Sequence, residues 1–195
     1  MQVRLTKTYY TPEEYLELEE KAESKHEYQD GKITLMAGGT TNHNKIAGNF
    51  YRRFPLAIAG QEYETYITDV RLWIPRYRLY TYPDFMAILG QPVFVENRTD
   101  TVTNPFLIVE VWSKSTKNYD QGDKFRFYRS IPELREYVLI DQYSFYVERF
   151  AKNAEGKWVL TEFAGEEAIL RLESVDWEIS FPEIYSRVNF ELSSD

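Results

Sequence analysis

The segment that most constrains the fold is the almost unbroken apolar run FLIVEVW at residues 106–112. A run of this length without apolar–polar alternation predicts a β-strand that is buried on both faces. Glu110 interrupts the run, and a charged side chain is rarely buried without a partner. The run therefore predicts a central strand in which Glu110 is either a functional residue or a salt-bridged strand end.

The segments around this run predict an α/β fold. Residues 119–130 have a helical pattern and residues 135–140 a strand pattern, and a strand–helix–strand unit of this length implies a parallel, right-handed crossover. Residues 65–74 and 80–89 each have the pattern of one strand. A helix is predicted from Gly39 to Gly60, interrupted near Pro55. The order over residues 41–140 is therefore α-β-β-β-α-β.

The two ends of the chain add further elements. Thr11, Pro12 and Glu14 form a capping-box pattern, which predicts a helix reaching about Ser24. The Asp30-Gly31 pair predicts a hairpin over residues 26–33. Strands over 145–150, 158–163 and 168–172 and a short helix after Pro182 predict a β-rich C-terminal extension. We expect one domain over residues 1–195, with a mixed sheet and a core at about 41–140.

Composition excludes several classes of function. The chain has no cysteine, which excludes disulfides, thiolate catalysis and Cys-type metal sites. The N-terminus lacks a secretory signal pattern, and no apolar stretch approaches the roughly 20 residues of a membrane span. A cytoplasmic protein without a membrane partner is therefore expected. The net charge of −8 argues against a general polyanion binder, although acidic residues gathered round a cation would account for part of it.

Asp84 and Glu110 form a candidate metal-binding pair. Asp84 follows Tyr82-Pro83 where one predicted strand begins, and Glu110 lies near the end of the next strand. If these strands are neighbours, the two carboxylates meet at one end of the sheet. Two carboxylates with open water positions suit Mg²⁺ or Mn²⁺, and the backbone carbonyl of Val111 would complete the protein's share of ligands.

Lys124 lies on the helix that follows this pair. Asp120, Lys124 and Tyr128 are spaced i, i+4, i+8, so they share one helical face. A lysine directed at a metal–carboxylate centre would orient an attacking water or stabilise charge on a pentavalent phosphorane. The alternatives are an exposed lysine paired with Asp120, and a Tyr128 that belongs to the core rather than contacting a phosphate.

The ordered motifs resemble a known nuclease group. They are HEYQDG (26–31), MAGG (36–39), NHN (42–44), YPD (82–84), IVEV (108–111), SKST (113–116) and YDQGDKF (119–125). With the α-β-β-β-α-β order they resemble the PD-(D/E)XK nuclease superfamily, which includes restriction endonucleases. More narrowly, residues 10–185 resemble a family of restriction-endonuclease-like proteins that is abundant in cyanobacteria.

The resemblance implies a metal-dependent endonuclease that hydrolyses nucleic-acid phosphodiesters, DNA in particular, with Mg²⁺ or Mn²⁺ as cofactor. Asp84 and Glu110 would be catalytic metal ligands, and Lys124 the catalytic lysine. Glu27, in the HEY motif, would be a further acid near the metal. Asp69 matches a recurrent acid of the family whose role is undefined.

One position departs from the superfamily pattern. Trp112 stands two residues after Glu110, where the superfamily has lysine. Our interpretation is that the lysine has moved to the helix as Lys124. Lys114 is the rival candidate.

Several alternatives stay open from the sequence. His43, near a helix start, is interpreted as a capping or packing residue in preference to a general base. The acidic balance and Trp112 favour a non-catalytic protein that binds nucleic acid or a protein partner on a degenerate nuclease fold. A carbohydrate-binding β-domain is a weaker option, prompted by the aromatic residues. Exposed tyrosines and the C-terminal strands suggest a homodimer.

Overall fold

The structure, a computed structural model, describes residues 7–36, 38–113 and 119–193. Its main sheet has seven strands in the order β12-β11-β10-β9-β7-β4-β3. These strands are β3 (Ala57–Ile58), β4 (Gln61–Ile67), β7 (Phe85–Leu89), β9 (Leu107–Trp112), β10 (Glu136–Asp141), β11 (Tyr146–Lys152) and β12 (Trp158–Ala164). The sheet is mixed, because β9 pairs in parallel with β10 and antiparallel with β7.

Two smaller sheets and four short helices complete the described fold. A five-stranded sheet has the order β2-β1-β6-β5-β8, and β13 pairs with β14. Their strands are β1 (His26–Gln29), β2 (Lys32–Leu35), β5 (Arg71–Ile74), β6 (Leu79–Thr81), β8 (Thr101–Val102), β13 (Ile169–Leu172) and β14 (Trp177–Ser180). The helices are α1 (Pro12–Glu19), α2 (Thr41–Arg53), α3 (Phe125–Tyr128) and α4 (Phe181–Ile184). A π-helical turn (Asp120–Lys124) leads directly into α3, and 3₁₀ turns cover Pro75–Tyr77 and Phe190–Ser193.

β9 occupies the centre of the main sheet, as its apolar run predicts. All six of its residues are buried. On one face Val109 packs in a cluster with Ile46 and Phe50 of α2. On the other face Ile108 packs in a cluster with Phe127 of α3. The sheet is therefore covered by helices on both sides, and the α2-β4-β7-β9-α3-β10 order confirms the α-β-β-β-α-β core.

The turn and cap patterns of the N-terminal region are confirmed. Thr11 caps α1 with a complete capping box. Asp30 and Gly31 have φ values of 41° and 95°, so both adopt the left-handed conformation that a two-residue hairpin turn between β1 and β2 requires. α1 is shorter than predicted, since the chain leaves the helix at Glu20 through tighter i→i−3 hydrogen bonds such as Lys21 N to Leu18 O (3.1 Å).

Three other predicted elements are shorter or divided. α2 ends at Arg53 rather than Gly60, because Phe54, which precedes Pro55, is extended (ψ 127°). The strand predicted at 65–74 is two strands, since Thr68 has a positive φ of 48° and the chain passes there from the main sheet to the five-stranded sheet. The strand predicted at 80–89 is divided between β6 and β7 in the same way. β14 was not predicted.

Candidate active site

Asp84 and Glu110 lie opposite each other at one end of the main sheet. β7 and β9 pair antiparallel with Phe85 facing Val109, and one further step in this register brings Asp84 opposite Glu110. Directly opposed residues of an antiparallel pair project from the same face. Both residues are shielded from solvent, with side chains exposed by 15% and 5%. The sequence-predicted meeting of the two carboxylates is therefore present in the structure.

Two donors hold the same oxygen of Asp84. The backbone N–H of Val111 donates to Oδ2 (2.8 Å), and His43 Nε2 lies 3.0 Å from that oxygen. Burial acts to raise the pKa of Asp84, but the contacts with His43 and Val111 outweigh it and lower the pKa. Burial likewise acts to lower the pKa of His43, and the pairing with Asp84 outweighs it, so that pKa is raised.

His43 is therefore a partner of Asp84, rather than the capping residue expected from its place near a helix start. Thr40 caps α2 instead, by accepting a hydrogen bond from the backbone N–H of His43 (3.1 Å). The cap directs the first turn of α2 toward the end of the sheet where Asp84 lies. No local signal in the sequence connects these two side chains.

Glu110 is held in a similar way by the helix side of the site. Its Oε1 accepts hydrogen bonds from Lys124 Nζ (2.9 Å) and from the Tyr128 hydroxyl (2.6 Å). Burial raises the pKa of the Glu110 carboxyl, the ammonium of Lys124 lowers it, and the nearby Asp84 and Asp120 charges raise it again. The net direction is upward. Two carboxylates and an ammonium are thus in electrostatic contact in a buried site.

Each carboxylate has, among the described residues, one oxygen that accepts no hydrogen bond from the protein. Within the described ranges, all recorded contacts of these two groups involve Asp84 Oδ2 and Glu110 Oε1. No donor of those ranges reaches Asp84 Oδ1 or Glu110 Oε2. The site therefore fixes the orientation of both carboxylates and leaves one acceptor on each for a further group.

Lys124 reaches the site through the π-helical turn that precedes α3. Its Nζ lies 3.5 Å from Asp120 Oδ1 in addition to its contact with Glu110. Burial acts to lower the pKa of Lys124, but the charges of Glu110, Asp120 and Glu27 outweigh it and raise the pKa well above the ordinary value. Single π-turns within helices occur frequently at functional sites. The predicted common face of Asp120, Lys124 and Tyr128 is present although the first turn is not α-helical.

Glu27 approaches the site from the five-stranded sheet. Its Oε1 accepts a hydrogen bond from the hydroxyl of Thr81, which is itself fully buried at the end of β6. The charge of Glu27 acts on the pKa of both Lys124 and Tyr128, so it lies near them without a direct contact to either. Thr81 was missed from the sequence; a polar residue directly before Tyr82-Pro83-Asp84 was the available signal.

Asp69 lies outside the group formed by Asp84, Glu110 and Lys124. Its side chain is 80% exposed and forms an ion pair with Lys25 at the surface. Trp112, which stands where the superfamily has lysine, is buried and stacks on Tyr146 with ring centroids 6.2 Å apart. Lys114, the rival lysine, lies outside the described residues.

The arginines make contacts in separate parts of the fold. Arg76 and Arg126 both lie over the ring of Tyr77, at 5.7 and 5.9 Å from its centroid. Others are engaged in ion pairs, namely Arg53–Glu183, Arg71–Asp100 and Arg78–Asp30.

In the described ranges no three His, Asp or Glu side chains form a metal-ligating cluster, and no helix there is long and apolar enough to cross a membrane.

Comparison with solved structures identifies the fold. A crystal structure described as that of "a putative nuclease belonging to DUF820" from Anabaena variabilis superposes with a TM-score of 0.70. The match covers 91% of this chain and 98% of that chain at 16% sequence identity. With the mixed sheet flanked by helices, it confirms the restriction-endonuclease-like fold.

The chain belongs to the Uma2 family, described as "Putative restriction endonuclease", whose model matches residues 12–182. An uncharacterized protein of Synechocystis sp. is 45% identical over 168 residues, which cover 86% of this chain and 95% of that protein. A second uncharacterized Synechocystis protein is 34% identical over 180 residues, covering 92% and 93%. The family expected from the motifs is confirmed.

Proposed function

We propose that this chain hydrolyses nucleic-acid phosphodiester bonds, as an endonuclease acting on DNA with Mg²⁺ or Mn²⁺. The observation that carries the proposal is the opposed pair Asp84–Glu110 beside the ammonium of Lys124, each carboxylate with one oxygen that no donor of the described ranges reaches. Membership of the family supports the nuclease class. The choice of metal rests on the chemistry of the site, and the choice of DNA on the family's description as restriction endonucleases.

The donor set fits a small divalent cation. Mg²⁺ prefers oxygen ligands, keeps several waters and is commonly held by one or two carboxylates, so it does not require a third acidic ligand. Asp84 and Glu110 would hold it through Oδ1 and Oε2, which no donor of the described ranges reaches, and the Val111 carbonyl is the proposed third ligand. When bound, the cation supplies charge stabilisation for a phosphoryl group and lowers the pKa of a coordinated water.

The protein's own residues have separate tasks in this proposal. His43 and the Val111 N–H fix Asp84, whereas Tyr128 fixes Glu110. Lys124 donates one hydrogen bond to Glu110 and has further N–H groups for an attacking water or a phosphate oxygen. Glu27 adds a negative charge that favours the ammonium form of Lys124.

A non-catalytic binding protein is the second candidate, and one observation favours it. Lys124 is already shared between Glu110 and Asp120, so its donors are partly used within the protein. A protein of this kind would bind the metal or the nucleic acid and leave the phosphodiester intact. Metal binding and cleavage must therefore be measured separately.

The test combines Mn²⁺ titration with cleavage of supercoiled plasmid. The wild type is expected to bind Mn²⁺ and to cleave the plasmid only with Mg²⁺ or Mn²⁺. Asp84→Asn is expected to lose both Mn²⁺ binding and plasmid cleavage. Lys124→Met is expected to keep Mn²⁺ binding and to reduce cleavage about 10²- to 10³-fold, the usual effect of removing a group that stabilises transition-state charge.

Glu173→Gln is the matched control. Glu173 is an exposed carboxylate that pairs with Arg149, and none of its described contacts involves Asp84 or Glu110. It should leave both readouts unchanged. Mn²⁺ binding without any cleavage in the wild type would favour the binding protein. Cleavage that persists at the wild-type rate in Asp84→Asn and Lys124→Met would refute this assignment of the site.

A further inference from the structure

Strand β12 forms one edge of the main sheet. It pairs over all seven of its residues with β11, and its other side has no neighbouring strand in the described chain. Val159 and Leu160 are 46% and 49% exposed. An exposed edge strand presents a row of unpaired backbone N–H and C=O groups, which is a template for another strand.

The hydrogen-bond pattern of β12 shows which backbone groups face outward. The N–H of Gly165, directly after the strand, donates to the carbonyl of Phe145 (3.0 Å), and the register continues with Phe163 opposite Val147. In an antiparallel ladder alternate residues direct both backbone groups to the same neighbour. The odd-numbered residues of β12 therefore face β11, and the even-numbered residues (Trp158, Leu160, Glu162 and Ala164) face outward.

This edge lacks the features that usually prevent strand pairing. Natural edges carry lysines, prolines, bulges or very short strands. β12 is seven residues long, has the sequence WVLTEFA and is in continuous register with β11. Its single charged residue is Glu162. The opposite edge of the same sheet, β3, has only two residues.

We propose that β12 pairs antiparallel with β12 of a second copy of this chain, so that two main sheets join into one across a twofold axis. In the register centred on Thr161, all four outward-facing residues exchange backbone hydrogen bonds across the interface. Trp158 of each chain pairs with Ala164 of the other, and Leu160 of each chain pairs with Glu162 of the other. This register uses the whole strand and places Glu162 opposite Leu160 instead of opposite the other Glu162. A closed twofold pair leaves no free β12 edge for further growth.

The charges at the ends of the strand suit a second copy. Continuing the same register, Lys157 comes opposite Gly165 of the second copy and beside its Glu166. Symmetry repeats this contact at the other end. Lys157 is paired with Glu155 of its own chain (2.7 Å), so at both ends of the interface its ammonium would lie between that carboxylate and Glu166 of the second copy. The interface does not depend on the nuclease activity.

The register makes a crosslinking test specific, because the chain has no cysteine of its own. Thr161 faces Thr161 of the second copy as a non-hydrogen-bonded pair, with a Cα–Cα distance of about 4.5 Å, which a disulfide can span. Thr161→Cys is therefore expected to give a covalent dimer under mild oxidation. Val159→Cys is the matched control on the same face of the strand. Its two copies would be four positions out of register, about 13 Å apart, and should not crosslink.

The mass in solution is the second measurement. Light scattering of the wild type should give twice the 23.2 kDa of one chain. Leu160→Pro removes an N–H that faces away from β11, so the fold should persist while the mass falls to one chain. Leu160→Ala keeps that N–H and should remain dimeric. A monomeric wild type, or equal crosslinking of Thr161→Cys and Val159→Cys, would overturn the proposal, and the cysteine pair decides it if Leu160→Pro does not fold.

Discussion

Two buried glutamates lie on the two central parallel strands, and they have opposite surroundings. Glu110 is near the end of β9, opposite Leu139 of β10, whereas Glu136 begins β10, opposite Leu107 of β9. They therefore lie toward opposite ends of the sheet. Both are almost inaccessible, with exposures of 4% and 0%. Burial alone does not distinguish them; their hydrogen-bond partners do.

Glu136 is saturated by donors. Its Oε1 accepts the N–H of Glu173 (2.7 Å), and its Oε2 accepts the N–H (3.0 Å) and the hydroxyl of Ser174. The Nε of Arg149 lies 3.7 Å from Oε1. These contacts attach the connection between β13 and β14 to the main sheet. Glu136 is therefore a structural residue that fastens the C-terminal extension.

Glu110 differs because, among the described residues, donors reach only one of its oxygens, and because the nearby charges of Asp84 and Asp120 add to burial in raising its pKa. Such an arrangement is unfavourable for folding by itself, and natural proteins retain it where a function requires it. A buried carboxylate with both oxygens satisfied indicates a structural role, whereas an oxygen that no described donor reaches, beside like charges, supports the proposed role of Glu110 as a ligand.

The largest expected difference is in catalysis. Glu110→Gln should reduce the proposed metal-dependent cleavage about 10³-fold, because the amide is a poor ligand for Mg²⁺. Stability should change by less than about 1 kcal/mol, since the glutamine Oε1 can still accept from Lys124 and Tyr128. Plasmid cleavage and urea unfolding measure the two effects. A large loss of stability with normal cleavage would reverse the roles assigned to Glu110 and Glu136.

Glu136→Gln should have the opposite profile. Its amide N–H₂ group would face the backbone N–H groups of Glu173 and Ser174, which leaves buried donors unsatisfied. The free energy of unfolding should fall by about 3 kcal/mol. Mn²⁺ binding at 20 °C should be unchanged. A variant as stable as the wild type would show that the β13–β14 connection is held by other contacts.

Tyr128→Phe should have an intermediate effect that is confined to the site. Loss of the hydroxyl that orients Glu110 should weaken Mn²⁺ affinity about tenfold. Tyr137→Phe is the matched control, because its buried hydroxyl donates to the Asp120 carbonyl (3.1 Å) rather than to Glu110. Both variants should lose similar stability, and only Tyr128→Phe should lose affinity in calorimetric titration.

The smallest expected difference is in the dependence of stability on pH. Burial raises the pKa of Glu136, with the Ser174 and Glu173 donors opposing it. In the window between the unfolded and the folded pKa, the folded state holds the proton that the unfolded state has released. The contribution of Glu136 to the free energy of unfolding is therefore fully present below the unfolded pKa, near 4.5. It decreases as the pH rises through the folded pKa.

The stability advantage of the wild type over Glu136→Gln should accordingly be greater at pH 4 than at pH 7. Urea unfolding of both proteins across this range measures it. A stability advantage that grows with pH would show that the hydrogen-bond donors, and not burial, control the pKa of the Glu136 carboxyl.

Local rules explain what the sequence predicted correctly. The Asp30-Gly31 turn, the Thr11 cap and the buried β9 each depend on a few neighbouring residues. The opposition of Asp84 and Glu110 was also predictable, because each lies at a strand end. Their pairing needed only the assumption that the two strands are neighbours.

The remaining features depend on contacts between distant segments. The pairing of His43 with Asp84 requires α2 to begin at the correct end of the sheet. Glu136 looks like a solvated residue at a strand start, and only the packing of β13 and β14 makes it buried. The break at Thr68 arises because the chain must change sheets there. None of these leaves a periodic pattern in the sequence.

The position of Lys124 on a helix has a consequence for how the site is assembled. A lysine two residues after Glu110 would be placed as soon as β9 joined the sheet. Here that position is occupied by Trp112, and the ammonium arrives only when the π-helical turn and α3 dock against β9. The two carboxylates are therefore brought together by strand pairing, and the ammonium by the docking of a helix. A chain whose sheet had formed before α3 docked would possess the carboxylate pair and lack the ammonium beside it.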